Sequence, residues 1–276
     1  MVARPARVRG LVAGCHPGPL VVTAAITALT LSLGRGPIGG LGVLLAALSG
    51  QLSVGWANDA HDAERDRRAQ RWDKPVVQGW VSQRTLWVAA GIAAAACIPL
   101  SLLAGGVIGG AAHIVGVASA WSYDLWLKTT IWSFVPYMVS FGLLAPFMTY
   151  GLTSPQPPAG WAVATLSLLG LGAHLANGIP DIDTDRATDS HGLVGRLGGQ
   201  RSATLAVVAL LAPTVLLVGH LHLPPTTTIV ILAGLATVSV LAATTAGGRH
   251  LFRIVMLLAL TDALLLSLNA SIIIGC

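Results

Sequence analysis

Charge is scarce in this chain of 276 residues. Asp, Glu, Lys and Arg together make up 10% of it, where soluble domains carry about 25%. That shortage excludes a large soluble domain and leaves no room for a nucleic-acid-binding module. Alternating polarity is missing as well: membrane barrels need short segments that alternate between lipid and lumen, and the apolar runs here are long and unalternated. Cysteine is confined to Cys15, Cys97 and Cys276, with no CxxC spacing, which excludes a disulfide scaffold and leaves these thiols as packing residues. What is present is 54% hydrophobic with a mean hydropathy of +0.74. The sequence is that of an all-α integral membrane protein.

A bilayer-crossing helix takes about 20 apolar residues, so nine would use roughly 180 and leave about 96 for loops and tails. Breaking the chain at polar and Gly/Pro clusters predicts nine spans: 18–34, 39–57, 85–104, 106–122, 131–152, 160–178, 203–221, 226–245 and 251–274. The N-terminus, with Arg4, Arg7 and Arg9 ahead of an apolar run, imitates a signal peptide. No convincing small-residue cleavage site follows, and the run is read as the first span after a cytoplasmic tail of residues 1–17. The whole of 1–276 is then expected to form a single transmembrane domain. Fifteen of the sixteen Lys and Arg residues fall in the N-terminal tail and the even-numbered loops, leaving Arg35 on the other side. The positive-inside rule therefore puts the N-terminus in the cytoplasm and Cys276 outside. The same bias explains the net charge of +5 and the pI near 9.6 without nucleic acid.

The eleven acids are unevenly placed. Five lie between Asp59 and Asp73 and four between Asp181 and Asp189, while Asp124 ends the fourth span and Asp262 sits alone in the ninth. The first cluster contains Asn58, Asp62 and Asp66, then Arg67; the second contains Asn177, Asp181 and Asp185, then Arg186. The pattern N-x3-D-x3-D-R thus occurs twice, 119 residues apart, and a continuing helix would place each set on one face. Like charges one turn apart repel, and near a membrane the cost of an acid grows. Oxygen ligands from Asp and Asn are hard and suit Mg²⁺, which pairs one or two carboxylates with substrate phosphate oxygens. Two such stripes ringed by Arg and Lys describe a diphosphate site; solvated loops with internally paired acids are the plainer alternative. Pro180 interrupts the second stripe and predicts a kink or an end of helix beside Asn177.

At these residues the chain resembles the UbiA superfamily of intramembrane prenyltransferases. The family signature NDxxDxxxD is matched by Asn58, Asp59, Asp62 and Asp66, and the following R/K-P and Gly by Lys74, Pro75 and Gly79. The second signature, DxxxD at the end of the sixth helix, is matched by Asp181 and Asp185, and a Tyr/Lys pair after the fourth by Tyr123 and Lys128. The resemblance covers about residues 10–275. It implies a polytopic nine-helix bundle whose central cavity opens to the cytoplasmic side, and two Mg²⁺ ions gripping a polyprenyl diphosphate whose tail runs into the lipid. The allylic C–O bond then ionises, and an aromatic or quinone-precursor acceptor traps the carbocation. By the same resemblance Asn58, Asp59, Asp62, Asp66, Asp181 and Asp185 are metal ligands or their close support. Arg67, Arg71, Lys74, Lys128 and Arg186 contact the diphosphate, and Tyr123 shields the cation or bonds a phosphate.

Other residues stay open between roles. Asp189 extends the second stripe or lies in a loop; His174, one turn before Asn177, faces an acceptor or packs in the core; Asp262 is a structural bond or an acceptor contact. His61 and His191 read as solvated, and His16 with Pro17 resembles the acceptor side of the family only weakly. Terpene cyclisation, phosphoribosyl transfer to a polyprenyl phosphate and other acceptors would share the same metal end. A cation transporter places its carboxylates near the bilayer midplane, unlike the clusters here, and a CDP-alcohol phosphatidyltransferase carries DG and AR between its acids, which this chain lacks. High Gly and Ala, with 14 Arg against 2 Lys, suggest a GC-rich bacterial source and hence the cytoplasmic membrane.

Overall fold

The computed structural model describes residues 4–15, 17–187, 191–221, 223–244, 261–262, 265–266 and 269–274. These residues are mainly helical. α1 (Arg4–Ala13), α2 (Pro17–Ser32) and α3 (Gly36–His61) open the chain, with α4 (Ala63–Arg68) continuing from α3 after a bend at Asp62. α5 (Gln83–Ser122) follows, then α6 (Val135–Gly142), α7 (Leu144–Thr149) and α8 (Gly160–Gly178). α9 (Ile182–Ala187), α10 (Leu193–Leu197), α11 (Gly199–His220) and α12 (Pro225–Thr244) complete the described helices of length. Among the described residues four helices are long and apolar enough to cross a membrane, at Gly36–His61, Gln83–Leu127, Gly160–Asp181 and Gly199–His220, and shorter apolar helices lie at Val21–Ser32, Val135–Thr149 and Pro225–Leu235. Most of the expected ninth span, 251–274, lies outside the described residues.

α5 is one helix only in name. Gly106, at φ 65° and ψ −170°, is non-helical, a conformation closed to residues with a Cβ. The chain folds back there: Ser101 Oγ lies 2.7 Å from His113 Nδ1, whereas residues twelve apart in a straight helix are separated by about 18 Å. The two arms therefore correspond to the expected spans 85–104 and 106–122. The expected fifth span is broken in the middle. Pro146 has no N–H to donate to the carbonyl four residues back, at Gly142, and the helix ends there before restarting at Leu144.

Packing follows chain neighbours. α3 lies against both α2 and α5, and α8 lies between α6 and α11. One apolar core runs through them, with Phe147, Met148, Val43, Leu175, Leu210 and Leu217 fully or almost fully buried. In lipid, such cores hold by close fit rather than by expulsion of water. An isolated antiparallel bridge between Pro158 and Ile274 fastens the C-terminal segment to the loop before α8. A second small core of Ala60, Ala63, Val76, Val81 and Leu86 pins the loop after α4 against the end of α3. Gln83 Nε2 donates to the Ala60 carbonyl at 2.8 Å across the same junction.

Candidate active site

The first stripe survives the bend at Asp62. The Asp62 amide donates to the Asn58 carbonyl at 2.9 Å and the Asp66 amide to the Asp62 carbonyl at 2.8 Å, so Asn58, Asp62 and Asp66 succeed one another turn by turn. Asp59, Asp62 and Asp66 are all buried. The loop beyond them first brings Lys74 back to the helix the chain has left, and then turns at Gly79, whose φ of 72° favours glycine. Lys74 Nζ donates to Asp59 Oδ1 at 2.7 Å. The second stripe is interrupted as Pro180 predicts. α8 stops at Gly178, one 3-10 turn spans Ile179–Asp181, and α9 resumes at Ile182.

Basic residues join the two stripes. Arg65 NH2 lies 3.0 Å from Asp62 Oδ2 while its NH1 is 3.8 Å from Asp185 Oδ1. Arg71 NH1 is 3.7 Å from Asp181 Oδ1 and its NH2 3.2 Å from Asp73 Oδ2. The Lys128 ammonium pairs with Asp62 Oδ1. Lys128 reaches inward from the end of a π-helical turn, Tyr123–Leu127, closed by the Lys128 amide on the Tyr123 carbonyl at 2.9 Å. Such turns are rare and gather at functional sites.

Arg67 is not brought into this group. It pairs with Glu64 at 3.4 Å on the exposed side of α4, beside Arg68. The side chain of Arg186 and all of Asp189 lie outside the described residues, as does His16. Three participants were not singled out in the sequence. Arg65 is three residues after Asp62 and so shares its face, whereas Arg67, five residues on, points away; a helical projection would have separated them. Asp124 is buried with Oδ2 lacking a hydrogen-bond partner, and it lies within electrostatic reach of Lys128, Asp62, Asp59 and Lys74. Tyr137 forms an aromatic group with Tyr123 and His174: ring centroids are 5.1 Å apart for Tyr123–Tyr137, 5.8 Å for Tyr123–His174 and 5.0 Å for Tyr137–His174. Tyr137 also hydrogen-bonds Asn177, which couples this group to the second stripe. His174 is buried, with Nε2 3.1 Å from Ser133 Oγ.

Asp262 belongs elsewhere. Its Oδ1 lies 2.6 Å from Thr214 Oγ1 on α11, fifteen residues and so about 22 Å along that helix from its Gly199 end. The Gly199 end is the one near α9, where Ile182 approaches it. The bond to Thr214 ties Asp262 to α11, while its Oδ2 is buried without a hydrogen-bond partner.

Electrostatics favour a cation at the joined stripes. Both carboxylate oxygens of Asp66 are buried and without a hydrogen-bond partner, and burial raises its pKa above the ordinary carboxylate value despite Lys74 nearby. Burial likewise raises Asp185, with Arg65 opposing. For Arg71 burial alone would lower the pKa, but Asp181, Asp73 and Asp66 outweigh it and hold the guanidinium charged. Among the described residues no three His, Cys, Asp or Glu side chains form a ready-made metal cage; the acids are shared out among Lys and Arg. A hard ion of the Mg²⁺ class needs only one or two carboxylates when phosphate oxygens complete its shell. The orphaned Asp66 oxygens and the all-oxygen donor set fit that requirement.

The profile of the UbiA prenyltransferase family matches residues 20–267. No curated protein gives a significant match. Among solved structures, an apo UbiA homologue from Aeropyrum pernix K1 is similar at 17% identity, TM-score 0.65, over 90% of this chain and 98% of that one. A UbiA homologue from Archaeoglobus fulgidus bound to DMAPP and Mg²⁺ is similar at 13% identity, TM-score 0.62, over 95% and 98%. A digeranylgeranylglyceryl phosphate synthase is similar at 15% identity, TM-score 0.59, over 96% and 95%.

Proposed function

The chain belongs to the UbiA prenyltransferase family, and from that premise we propose that it is a Mg²⁺-dependent intramembrane prenyltransferase. It moves a polyprenyl group from its diphosphate to an aromatic or quinone-precursor acceptor. One observation carries the reading: two acidic stripes far apart in sequence are joined through Arg65, which reaches Asp62 of the first and Asp185 of the second. A polyprenyl diphosphate supplies the anion that such a divided site, with its spare cations, can hold. The A. fulgidus homologue, which binds DMAPP and Mg²⁺, supports the same assignment.

In this reading Asn58, Asp62 and Asp66 would hold one ion and Asp181 with Asp185 a second, with Asp59 supporting the first set through Lys74. Bound there, the ions would neutralise the charge that develops on the departing diphosphate. Lys128, Lys74, Arg65 and Arg71 are held within reach of the acids and would exchange those partners for phosphate oxygens, fixing the leaving group as the allylic C–O bond breaks. Arg186 follows the second stripe in sequence and would add to them. Tyr123 and Tyr137 offer aromatic faces on the acceptor side, where they would stabilise the allylic cation while the apolar bundle keeps water from it. The acceptor is assigned on the family resemblance.

Residues 1–276 would form a single nine-helix domain in the bacterial cytoplasmic membrane, with the N-terminus and the acidic site on the cytoplasmic side and the C-terminus outside. The charge distribution supports this orientation, because the basic loops and both acidic stripes share one side.

The test is an assay on detergent-purified protein with geranyl, farnesyl, geranylgeranyl and longer diphosphates, with and without phenolic acceptors. Prenylated product should form with Mg²⁺ and disappear with EDTA and in Asp62→Ala. Diphosphate release without an adduct would redirect the reading to cyclisation or a different acceptor. Absence of both turnover and Mg²⁺-dependent diphosphate binding would overturn it.

A further inference from the structure

At the other end of the bundle, among the described residues, Arg35 has no acid beside it. Arg35 precedes α3, whose 26 residues separate it from Asp62 by about 40 Å. The loops at this end, around residues 33–38, 150–159 and 221–226, contain no Asp or Glu. The guanidinium is nevertheless drawn inward. Its NH1 is buried and has no hydrogen-bond partner. Space for it comes from two glycines: a Cβ at Gly39 would stand 3.1 Å from Arg35 Nε, and one at Gly151 would stand 2.5 Å from NH1.

Beside it lies a cavity of about 350 Å³, lined by Leu33, Gly34 and Arg35 together with Leu152, Thr153, Ser154, Gln156 and Ile274. The lining divides by chemistry. Arg35, Thr153, Ser154 and Gln156 carry donors suited to an anion, while Leu33, Leu152 and Ile274 are apolar. An arginine at a membrane boundary ordinarily extends its head group to water, and drawing part of it in without a counter-charge is unfavourable. Among the described residues nothing supplies that counter-charge, so the place is suited to a bound anion.

We propose that this cavity binds a phosphate ester, held by the Arg35 guanidinium with the Thr153 and Ser154 hydroxyls, and that its source is a phospholipid of the facing leaflet. The apolar wall receives the start of the acyl chains, which a free phosphate does not have. Charge-assisted bonds from guanidinium to phosphate are among the stronger hydrogen bonds, and the planar fork of arginine matches them better than lysine does. The site is independent of the acidic centre and of the reaction assigned to it.

The test compares thermal midpoints of the full-length protein in detergent with added phosphatidylglycerol, diacylglycerol of the same chains, or inorganic phosphate at equal concentration. Phosphatidylglycerol should raise the wild-type midpoint by several degrees, with diacylglycerol and inorganic phosphate giving much less. Arg35→Gln should lose more than half of that shift and Arg35→Lys should retain part of it, both keeping Mg²⁺-dependent diphosphate binding. An equal shift in Arg35→Gln would overturn the site, and an equal shift from inorganic phosphate would overturn the lipid as its source. Should Arg35→Gln fail to fold, a phosphatidylglycerol carrying a head-group photocrosslinker decides on wild-type protein. Label on residues 33–36 or 152–156 supports the proposal, and label confined to other peptides refutes it.

Discussion

Asp66→Asn keeps the shape of a side chain whose two carboxylate oxygens are buried without a hydrogen-bond partner while removing its charge. Leaving a buried polar group unsatisfied costs roughly 1–3 kcal/mol, and more when it is charged. Attraction from Lys74, Arg71 and Arg65 offsets part of that cost, so a gain on the order of 1 kcal/mol is expected for the metal-free variant. In chains of somewhat smaller size this corresponds to about 2–4 °C in thermal midpoint. With Mg²⁺ and geranyl diphosphate the order should reverse. At a hundredfold excess over Kd, binding stabilises wild type by about 2.7 kcal/mol, and the variant, missing one anionic ligand, should lose most of it. The assay is thermal unfolding in detergent of both proteins, each with EDTA and with Mg²⁺ plus diphosphate. If Asp66→Asn is less stable than wild type in EDTA, or keeps the full ligand-dependent stabilisation, the assignment of Asp66 as an uncompensated metal ligand is wrong.

Further outcomes follow from neighbouring geometry. Arg65→Ala, which cuts the link between Asp62 and Asp185, should weaken diphosphate affinity at least tenfold in a binding titration. Arg67→Ala, on an exposed pair with Glu64, should change stability by no more than about 0.5 kcal/mol. Burial holds Asp66 and Asp185 above the ordinary carboxylate value, so protons compete with Mg²⁺ at higher pH than at a surface aspartate, and titrations across acidic pH should show affinity falling as pH falls. The sign for the metal-free fold is opposite: with folded pKa values raised, stability is lost as pH rises from the unfolded to the folded value, and Mg²⁺ should restore it above that window. Gly106→Ala forces a Cβ into the turn of the α5 hairpin and should cost about 1–3 kcal/mol, read as a lower midpoint in detergent.

Much of the fold is local in origin, and those parts were legible in the sequence. The expected span 160–178 coincides with α8, and the break expected between 104 and 106 falls at Gly106 because only glycine adopts that backbone. The two N-x3-D-x3-D-R stripes were legible for the same reason, since spacing fixes which residues share a helix face. Pairings made by the folded chain were not. The loop that returns Lys74 to Asp59 is set by burial of Val76 and Val81 on Ala60 and Ala63, and no local pattern encodes its path. Tyr137 joins Tyr123 and His174 only because α6 lies on α8, and Asp124 reads in sequence as an ordinary polar end of a span. The repeated position after the last Asp points to Arg67, whereas helical geometry puts Arg65 on the face of Asp62 and turns Arg67 away.

The central claim is that both stripes act together on one metal-bound diphosphate. Calorimetric titration of a non-ionising thio analogue of geranyl diphosphate, with Mg²⁺ and then with EDTA, tests it in wild type, Asp62→Asn and Asp181→Asn. The account predicts saturable binding in wild type that vanishes with EDTA and falls at least tenfold in each variant, although the two residues are 119 positions apart. Binding that persists in EDTA, or that ignores either substitution, would contradict it.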